Sequence, residues 1–552
     1  MNNFRFPTDA AQQTWHVQYV DVVDGRIYPA EVTIRGERIA SVRPTVGTPK
    51  MWMIPGLVDA HIHIESSMLP PQLFAPQAVI HGTVATVSDP HEIANVLGES
   101  GIDYMIDSAR KVPLSFNFGA PSCVPATTFE TSGAALDAEA VSRLLDRPEI
   151  HYLSEMMNFP GVINQDPEVM RKISAAKSRG KPIDGHAPGL RGKKLAAYVA
   201  AGITTDHESF TYEEACEKAK LGMKIIIREG SAARNFENLI PLLAEKPEMV
   251  MFCTDDLHPD DLLRGHINCH IQRALEAGFD PIAILRAATL HPVRHYGLTH
   301  GLVQPNDPAT FVILSSLDAR MEILATYIQG HLVACEGQTR IETTVPFIAN
   351  RFVDRRVNNE DFQVRPEGSR LRIIQAYDGQ LITGEAWDTP PIRNGEVVSD
   401  PEHDILKIAV INRYSTAPPA VAFVRGFGLQ KGAIASSVAH DSHNIVAVGA
   451  DDASLVTAVN MIMENQGGLA YADISQRHLL SLPIAGLMSN RPAVEVAHDY
   501  ETLTRLAHRA GCSLRAPFMT LSFMALLVIP QLKLSDRGLF DGHNFRFVPM
   551  WD

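Results

Sequence analysis

Apolar positions along the chain fall into three successive patterns. Over residues 17–45, β-branched residues alternate with polar ones (VQYVDVV, then AEVTIRGERIASV), and Asp24-Gly25 and Arg35-Gly36 mark tight hairpin turns. So short a β piece cannot bury a core alone. TFVILSS and ATYIQGHLVACEG, within residues 310–337, share its character and are the expected partner. Between these pieces lie eight apolar, β-rich runs: Met53–His63, Gly82–Asp89, Leu114–Gly119, Ile150–Glu155, Pro182–His186, Gly202–Glu208, Met223–Glu229 and Val250–Asp255. The segments between them, such as AEAVSRLLDR, PEVMRKISAAKSR, KLAAYVAA and ENLIPLLAEK, space their apolar residues as helices do. Strand–helix alternation implies parallel strands, and eight units over about 240 residues match a (β/α)8 barrel of typical size, ~250 residues. An open doubly wound sheet is the structural alternative. It would carry a glycine-rich phosphate loop after its first strand, and here that strand ends in histidines instead.

From about residue 350 the pattern changes again, to strands (ILKIAVINRY, AVAFVRGFGL, NIVAVGA), a helix (ASLVTAVNMIMENQ), GGLAYAD and a C-terminal apolar stretch. The expected fold class is α/β: a (β/α)8 barrel over residues 54–301, a small split β-sandwich from residues 1–53 plus 302–345, and a C-terminal α+β domain over 350–552.

Composition narrows the function classes. Hydrophobic residues make up 45% and charged residues 20% of the 552, an ordinary soluble balance. Lys plus Arg number 49 against 63 Asp plus Glu, and the net charge of −14 argues against a nucleic-acid partner, whose phosphates need clustered cations. No stretch approaches the ~18 uninterrupted apolar residues of a membrane helix; Phe523–Pro530, the most apolar, is far shorter. The N-terminus MNNFRFPTDAAQQTW lacks the apolar region of a signal peptide. The six cysteines (Cys123, Cys216, Cys253, Cys269, Cys335, Cys512) are scattered without a CxxC, a spacing that disfavours both a zinc ribbon and a disulfide framework. A reduced, cytoplasmic enzyme is the expected class.

The sharpest chemical signal is PGLVDAHIH, residues 55–63. Residues i and i+2 of a strand face the same side, so His61 and His63 aim two imidazoles into one space at the C-terminal end of the first barrel strand, where barrel active sites are built. A bare HxH is as readily a pair of satisfied core histidines. Later strands, however, also end in ligand types: Glu155 on the fourth, His186 on the fifth, His207 on the sixth and Asp255 on the eighth. Four histidines and two carboxylates at one end of a barrel form a divalent metal cluster, because so many ionisable groups left unpaired there would be costly to desolvate. His63-Ile64-Glu65 offers the H-x-E half of a zinc nucleobase deaminase of another fold, but no P-C-x-x-C follows.

These motifs resemble the amidohydrolase superfamily. The carboxylate at position 155, in SEMMNFPGV, together with HIHIESSML, GTVATVSDPHEIANVLG, DGHAPGL, TTDHES and REGSAARN, resembles its adenine deaminase branch. So do GFGLQKGAIASSVAHDSHNIVAVG, LPIAGLMS and FMTLSFMALLVIPQLKLSDRGL in the last region. One departure is GLVQPNDPATFVIL, which lacks the PGxxADxVVL wording common after the barrel. The resemblance implies hydrolysis of adenine to hypoxanthine and ammonia by a metal-bridging hydroxide. His61 and His63 with Asp255 would hold one ion, His186 and His207 the other, and Glu155 would bridge. Asp255 would serve as general base and then acid. It further implies two divalent ions, Mn or Fe, with Zn equally suited to such donors, and a homodimer.

Further polar residues at the same strand ends are candidates for the substrate. Asp89 and His91, in SDPHE, suit a substrate or auxiliary-metal contact, or a solvated turn. Glu208, Arg228 and Ser231 are candidates for hydrogen bonding the purine ring, although alternation puts Glu208 on the side opposite His207 if the strand continues. His440, Asp441 and His443, in AHDSHN, either line the pocket from the last domain or staple that domain's own turn. Two alternatives to adenine deamination stand beside it: another amidohydrolase reaction, on a cyclic amide or N-acyl bond, and a non-catalytic purine- or metal-binding homologue.

Overall fold

The computed structural model describes residues 6–8, 12–231 and 233–552. Most of the N-terminal stretch read above for a leader lies outside the described residues, as does Ala232 of the REGSAARN motif.

Eight parallel strands curl into a barrel in chain order: Leu57–Ile62, Thr83–Ser88, Ser115–Ala120, Ile150–Met156, Ile183–Gly185, Thr205–Asp206, Lys224–Arg228 and Val250–Cys253. Every residue of the first two strands is buried, as expected of parallel strands covered on one side by helices and on the other by the barrel interior. The first five strands form one continuous ladder and the last three another. Backbone hydrogen bonds close both seams. Between strands five and six, the Thr204 N–H donates to the Ile183 carbonyl (2.8 Å). Between strands eight and one, the Asp255 N–H donates to the His61 carbonyl (2.9 Å) and the His63 N–H to the Asp255 carbonyl (3.1 Å). The second seam lies among the ligand-type residues themselves.

The helical spacing seen in the sequence gives helices at Ala138–Leu145, Pro167–Ser178 and Gly192–Ala200. Asp137 and Asp166 cap the first two, each accepting from an otherwise unpaired N–H of the first turn. ENLIPLLAEK is an exception. It forms two short helices, Phe236–Leu239 and Leu242–Glu245, because Pro241 can neither donate to the preceding turn nor fit behind it.

The run Met53–His63, read as one strand, is divided at Gly56. Trp52–Pro55 joins an eight-stranded sheet, and only Leu57–Ile62 enters the barrel. A Cβ at Gly56 would come within 2.2 Å of the Val84 side chain, so this close crossing of backbone over strand needs glycine. In the outer sheet Trp52–Pro55 sits between Gln12–Asp21 and Phe311–Leu314, with Met53 opposite Ile313. The expected partnership between the N-terminal β piece and the segment around 310–337 is thus made through this short strand. Among the described residues no helix is long and apolar enough to cross a membrane.

The C-terminal region is built on a second eight-stranded sheet that includes Leu406–Ile411, Ala420–Arg425, Ile445–Gly449 and Gly468–Ala472. The helix Asp452–Glu464, capped by Asp451, packs its apolar side on that sheet. A longer helix, Ala493–Arg509, and the hairpin Leu532–Ser535 with Gly538–Asp541 complete it. The apolar stretch that begins at Phe523 extends the short helix Pro517–Phe523 as irregular chain and lies across the C-terminal mouth of the barrel.

Candidate metal centre and catalytic cavity

The six ligand-type residues converge. His61 lies inside the barrel with no exposure, and its ring stacks on that of His207 at 4.0 Å between centroids. Asp255 Oδ1 faces both first-strand histidines, 3.4 Å from His61 Nε2 and 3.1 Å from His63 Nε2. Glu155 stands between two sets: Oε2 is 2.8 Å from His186 Nδ1 and 3.2 Å from His207 Nε2, while Oε1 is 3.5 Å from both His63 Nε2 and His91 Nδ1.

Local backbone chemistry holds these groups in place. Asp59, two residues before His61, accepts from the Thr254 N–H (3.1 Å) and from the Thr254 hydroxyl, which locks the first strand to the eighth just below the site. The strand Val250–Cys253 ends before Asp255, whose φ of 56° lies in the left-handed region. Aspartate tolerates that region better than most residues. The turn lets one residue close the barrel seam with its backbone while its carboxylate enters the cavity. His63 Nδ1 donates to the Asp89 carbonyl at 3.1 Å. A carbonyl only accepts, so Nδ1 carries the proton and Nε2 presents a lone pair.

That lone pair faces two carboxylates, acceptor against acceptors. Both ring nitrogens of His61 and Nδ1 of His207 are likewise buried without a hydrogen-bond partner among the described residues. Such an arrangement is costly unless a cation intervenes. His61, His207 and Asp255 form one group with ligand spacing, Glu155, His186 and His207 another, and His63, Asp89, His91 and Glu155 a third. Imidazole and carboxylate donors without thiolate suit divalent ions such as Zn, Fe and Mn. The residues present fit divalent metal binding.

Around this cluster, Arg228 pairs with two carboxylates at once. It bonds Glu208 through both terminal nitrogens and Asp255 Oδ2 at 2.5 Å, and it is 1% exposed. Burial opposes ionisation of Asp255, yet the Arg228 guanidinium holds its carboxyl well below the usual range. Burial likewise opposes ionisation of Glu155, and His186 and His207 hold that carboxyl low in the same way.

The remaining candidates divide. Glu208 is in the cavity, 3.6 Å from His207 and 3.7 Å from His186. The alternation that would have sent it to the opposite side does not apply, because the sixth strand is only Thr205–Asp206 and has ended. His91 lines the cavity, its Nδ1 3.1 Å from Asp89 Oδ2. Asp89 itself orients His63 and His91 and does not line the cavity. Ser231 is not brought to the site: its hydroxyl donates to Asp261 and accepts from the His258 N–H, in a separate cleft.

Some of the site comes from the C-terminal region. His440 and Asp441 line the cavity, and His440 Nδ1 and His443 Nε2 both bond the carboxylate of Glu92. Glu92 directly follows His91, so the C-terminal region grips the chain beside a cavity residue. The sequence reading passed over Glu92 within SDPHE and also Asp256. The one available signal was the dense polar run AHDSHN, which needed a buried counter-charge. Leu381, Phe523, Leu526, Val528 and Ile529 complete the cavity as an apolar roof.

A (β/α)8 barrel with this histidine–carboxylate cluster at its C-terminal mouth is the arrangement of a hydrolase suited to divalent metal, and comparison agrees. The profile described as "Amidohydrolase family" matches residues 52–333, and that of the "Adenine deaminase C-terminal domain" matches residues 380–546. The chain belongs to the amidohydrolase family, within the group of adenine deaminases. It is 56% identical over 531 residues to "Adenine deaminase" of Salinibacter ruber, covering 96% of this chain and 97% of that protein. To "Adenine deaminase" of Methanosarcina barkeri it is 51% identical over 548 residues, covering 98% and 99%. Among solved structures, a β-aspartyl dipeptidase of Fervidobacterium islandicum AW-1 matches 59% of this chain and 97% of its own at 14% identity and a TM-score of 0.46.

Proposed function

We infer that this chain hydrolyses adenine to hypoxanthine and ammonia. The observation that carries this reading is likeness over nearly the whole length to adenine deaminases, including the C-terminal region that roofs the cavity. Water adds its oxygen at C6 of the base, the bond to the exocyclic nitrogen breaks, and that nitrogen leaves as ammonia.

His61, His63, Glu155, His186, His207 and Asp255 would hold two divalent ions, Mn or Fe by resemblance, with Zn compatible with the donors. When bound, the ions supply water that is nucleophilic at neutral pH. Asp255 accepts the proton of the attacking water: Arg228 keeps it ionised, and one oxygen remains turned toward His61 and His63. The same carboxyl then hands the proton to the departing nitrogen. His91, steadied by Asp89, is the second proton-transfer group within the cavity. Glu155 fixes the spacing of the ligand set. Glu208, held by Arg228, offers a carboxylate edge to the ring of the base. The apolar roof excludes bulk water and covers the flat face of the base.

The six cysteines are free thiols, which suits a reducing cytoplasm, and the family resemblance extends to a homodimer. The test is ammonia release from adenine by Mn-loaded protein. No turnover of adenine, with activity on hydantoin-like rings instead, would move the assignment to another amidohydrolase reaction.

A further inference from the structure

The cavity over the cluster has room for about 40 Å³, far below the roughly 300 Å³ at the small end of ligand pockets. A bicyclic base does not fit until part of the wall moves. Next to the cavity lies a cleft of about 600 Å³, lined in part by His258, Gln380, Tyr500 and Met519. Phe523 lines both spaces, and Gln380 of the cleft is followed in the chain by Leu381 of the cavity. The partition is therefore the C-terminal end of the helix Pro517–Phe523 together with residues 380–381.

One side chain ties the two halves of that partition together. Lys533 Nζ donates to the Leu381 carbonyl (2.8 Å) and to the Phe523 carbonyl (2.9 Å). Lys533 is wholly buried, and among the described residues no carboxylate lies within ion-pair distance of it. Two carbonyl acceptors and no anion leave an ammonium there poorly compensated. Burial accordingly lowers the ammonium pKa to about 7. The ring of Phe523 lies flat on that of His440, 4.6 Å between centroids, so one face of the partition is held from inside the cavity and its backbone from behind.

We propose that Phe523 and Leu381 form the gate through which the base enters from the neighbouring cleft, and that Lys533 is the positioning residue that latches it. The gate also sets specificity: once latched, it leaves no space for a purine carrying a substituent toward the cleft. This rests on the reading of adenine as substrate.

The test uses full-length, Mn-loaded Lys533→Met and Phe523→Ala, with Phe523→Leu in case the alanine variant fails to fold. Kinetics and calorimetric binding of adenine and N9-alkylated adenines are measured alongside metal content and Tm. Unlatching in Lys533→Met leaves two buried carbonyls unpaired and is expected to raise KM for adenine about tenfold, with a smaller change in kcat. A purely structural role would instead lower kcat and the folded fraction together at unchanged KM. Phe523→Ala is expected to raise the preference for an N9-alkylated adenine relative to adenine by about tenfold or more. Folded variants that keep the wild-type KM and the wild-type preference overturn the gate. If the wild type binds adenine without deaminating it, the functional reading fails, and the binding preferences still decide the gate.

Discussion

Asp255 Oδ2 lies 2.5 Å from Arg228 Nη1, while Oδ1 of the same carboxylate lies 3.1 Å from His63 Nε2. One carboxylate is thus anchored by a permanent cation on one side and turned to the ligand cluster on the other. This geometry separates two duties, holding metal and moving a proton, and substitution can tell them apart.

Asp255→Asn keeps the shape and removes the proton acceptor. We expect most of the metal to remain on the four histidines and Glu155, and kcat to fall by at least ~10²–10⁴-fold, the usual contribution of a general acid–base group. Metal content and kcat measured on one preparation check this. A parallel fall of both would make Asp255 chiefly a ligand and leave the shuttle to His91 or Glu208.

Glu155→Ala is expected to lose metal and activity together, because that carboxylate reaches His186 and His207 through one oxygen and His63 through the other. Elemental analysis reads the outcome, and a variant with normal metal content and turnover would remove Glu155 from the centre.

Stability should carry the signature of Glu130. This glutamate is 4% exposed, and burial first, with the nearby Asp441 carboxyl adding to it, pushes its pKa up to about 8. The folded pKa is above the unfolded one, so the stabilisation is complete below the unfolded value and is lost as pH rises through about 8. Glu130→Gln removes that titration. Its stability relative to wild type should rise with pH by roughly 1.4 kcal/mol per pH unit within this window, then level off. Urea denaturation of the loaded protein from pH 5 to 9 measures it, and a difference that does not change with pH would contradict it.

Much of the site could be read from the chain because its signals are local. The i, i+2 spacing of His61 and His63 needs only a strand, and single ligand types at later strand ends need only the barrel order. What failed depended on where strands stop. The sixth strand ends at Asp206, so Glu208 enters the cavity that alternation denied it, and Gly56 cuts one apolar run into strands of two different sheets. What was missed depended on contacts between distant segments. Glu92 meets His440 and His443 only after the C-terminal region has docked. Phe523 becomes a roof by the same docking, which neither the apolar run nor the motif FMTLSFMALLVIPQLKLSDRGL around it locates. Ser231 was placed by strand order, but its hydroxyl is taken up by Asp261 and the His258 N–H.

Free adenine is expected to be a far better substrate than adenosine, because the apolar roof, once closed over the base, would leave no room for a ribose beyond it. Comparable kcat/KM for the base and its nucleoside would mean that the C-terminal region does not close over the substrate during turnover.

The most direct measurement follows hypoxanthine and ammonia released from adenine by one preparation of the protein, first Mn-loaded, then stripped with chelator, then reloaded. We expect equimolar products from the loaded protein, loss of turnover on stripping and recovery on reloading. Undiminished turnover by the metal-free protein would contradict the assignment of the histidine–carboxylate cluster as the catalytic metal centre, and no turnover of adenine by the fully loaded protein would contradict the assignment of the reaction.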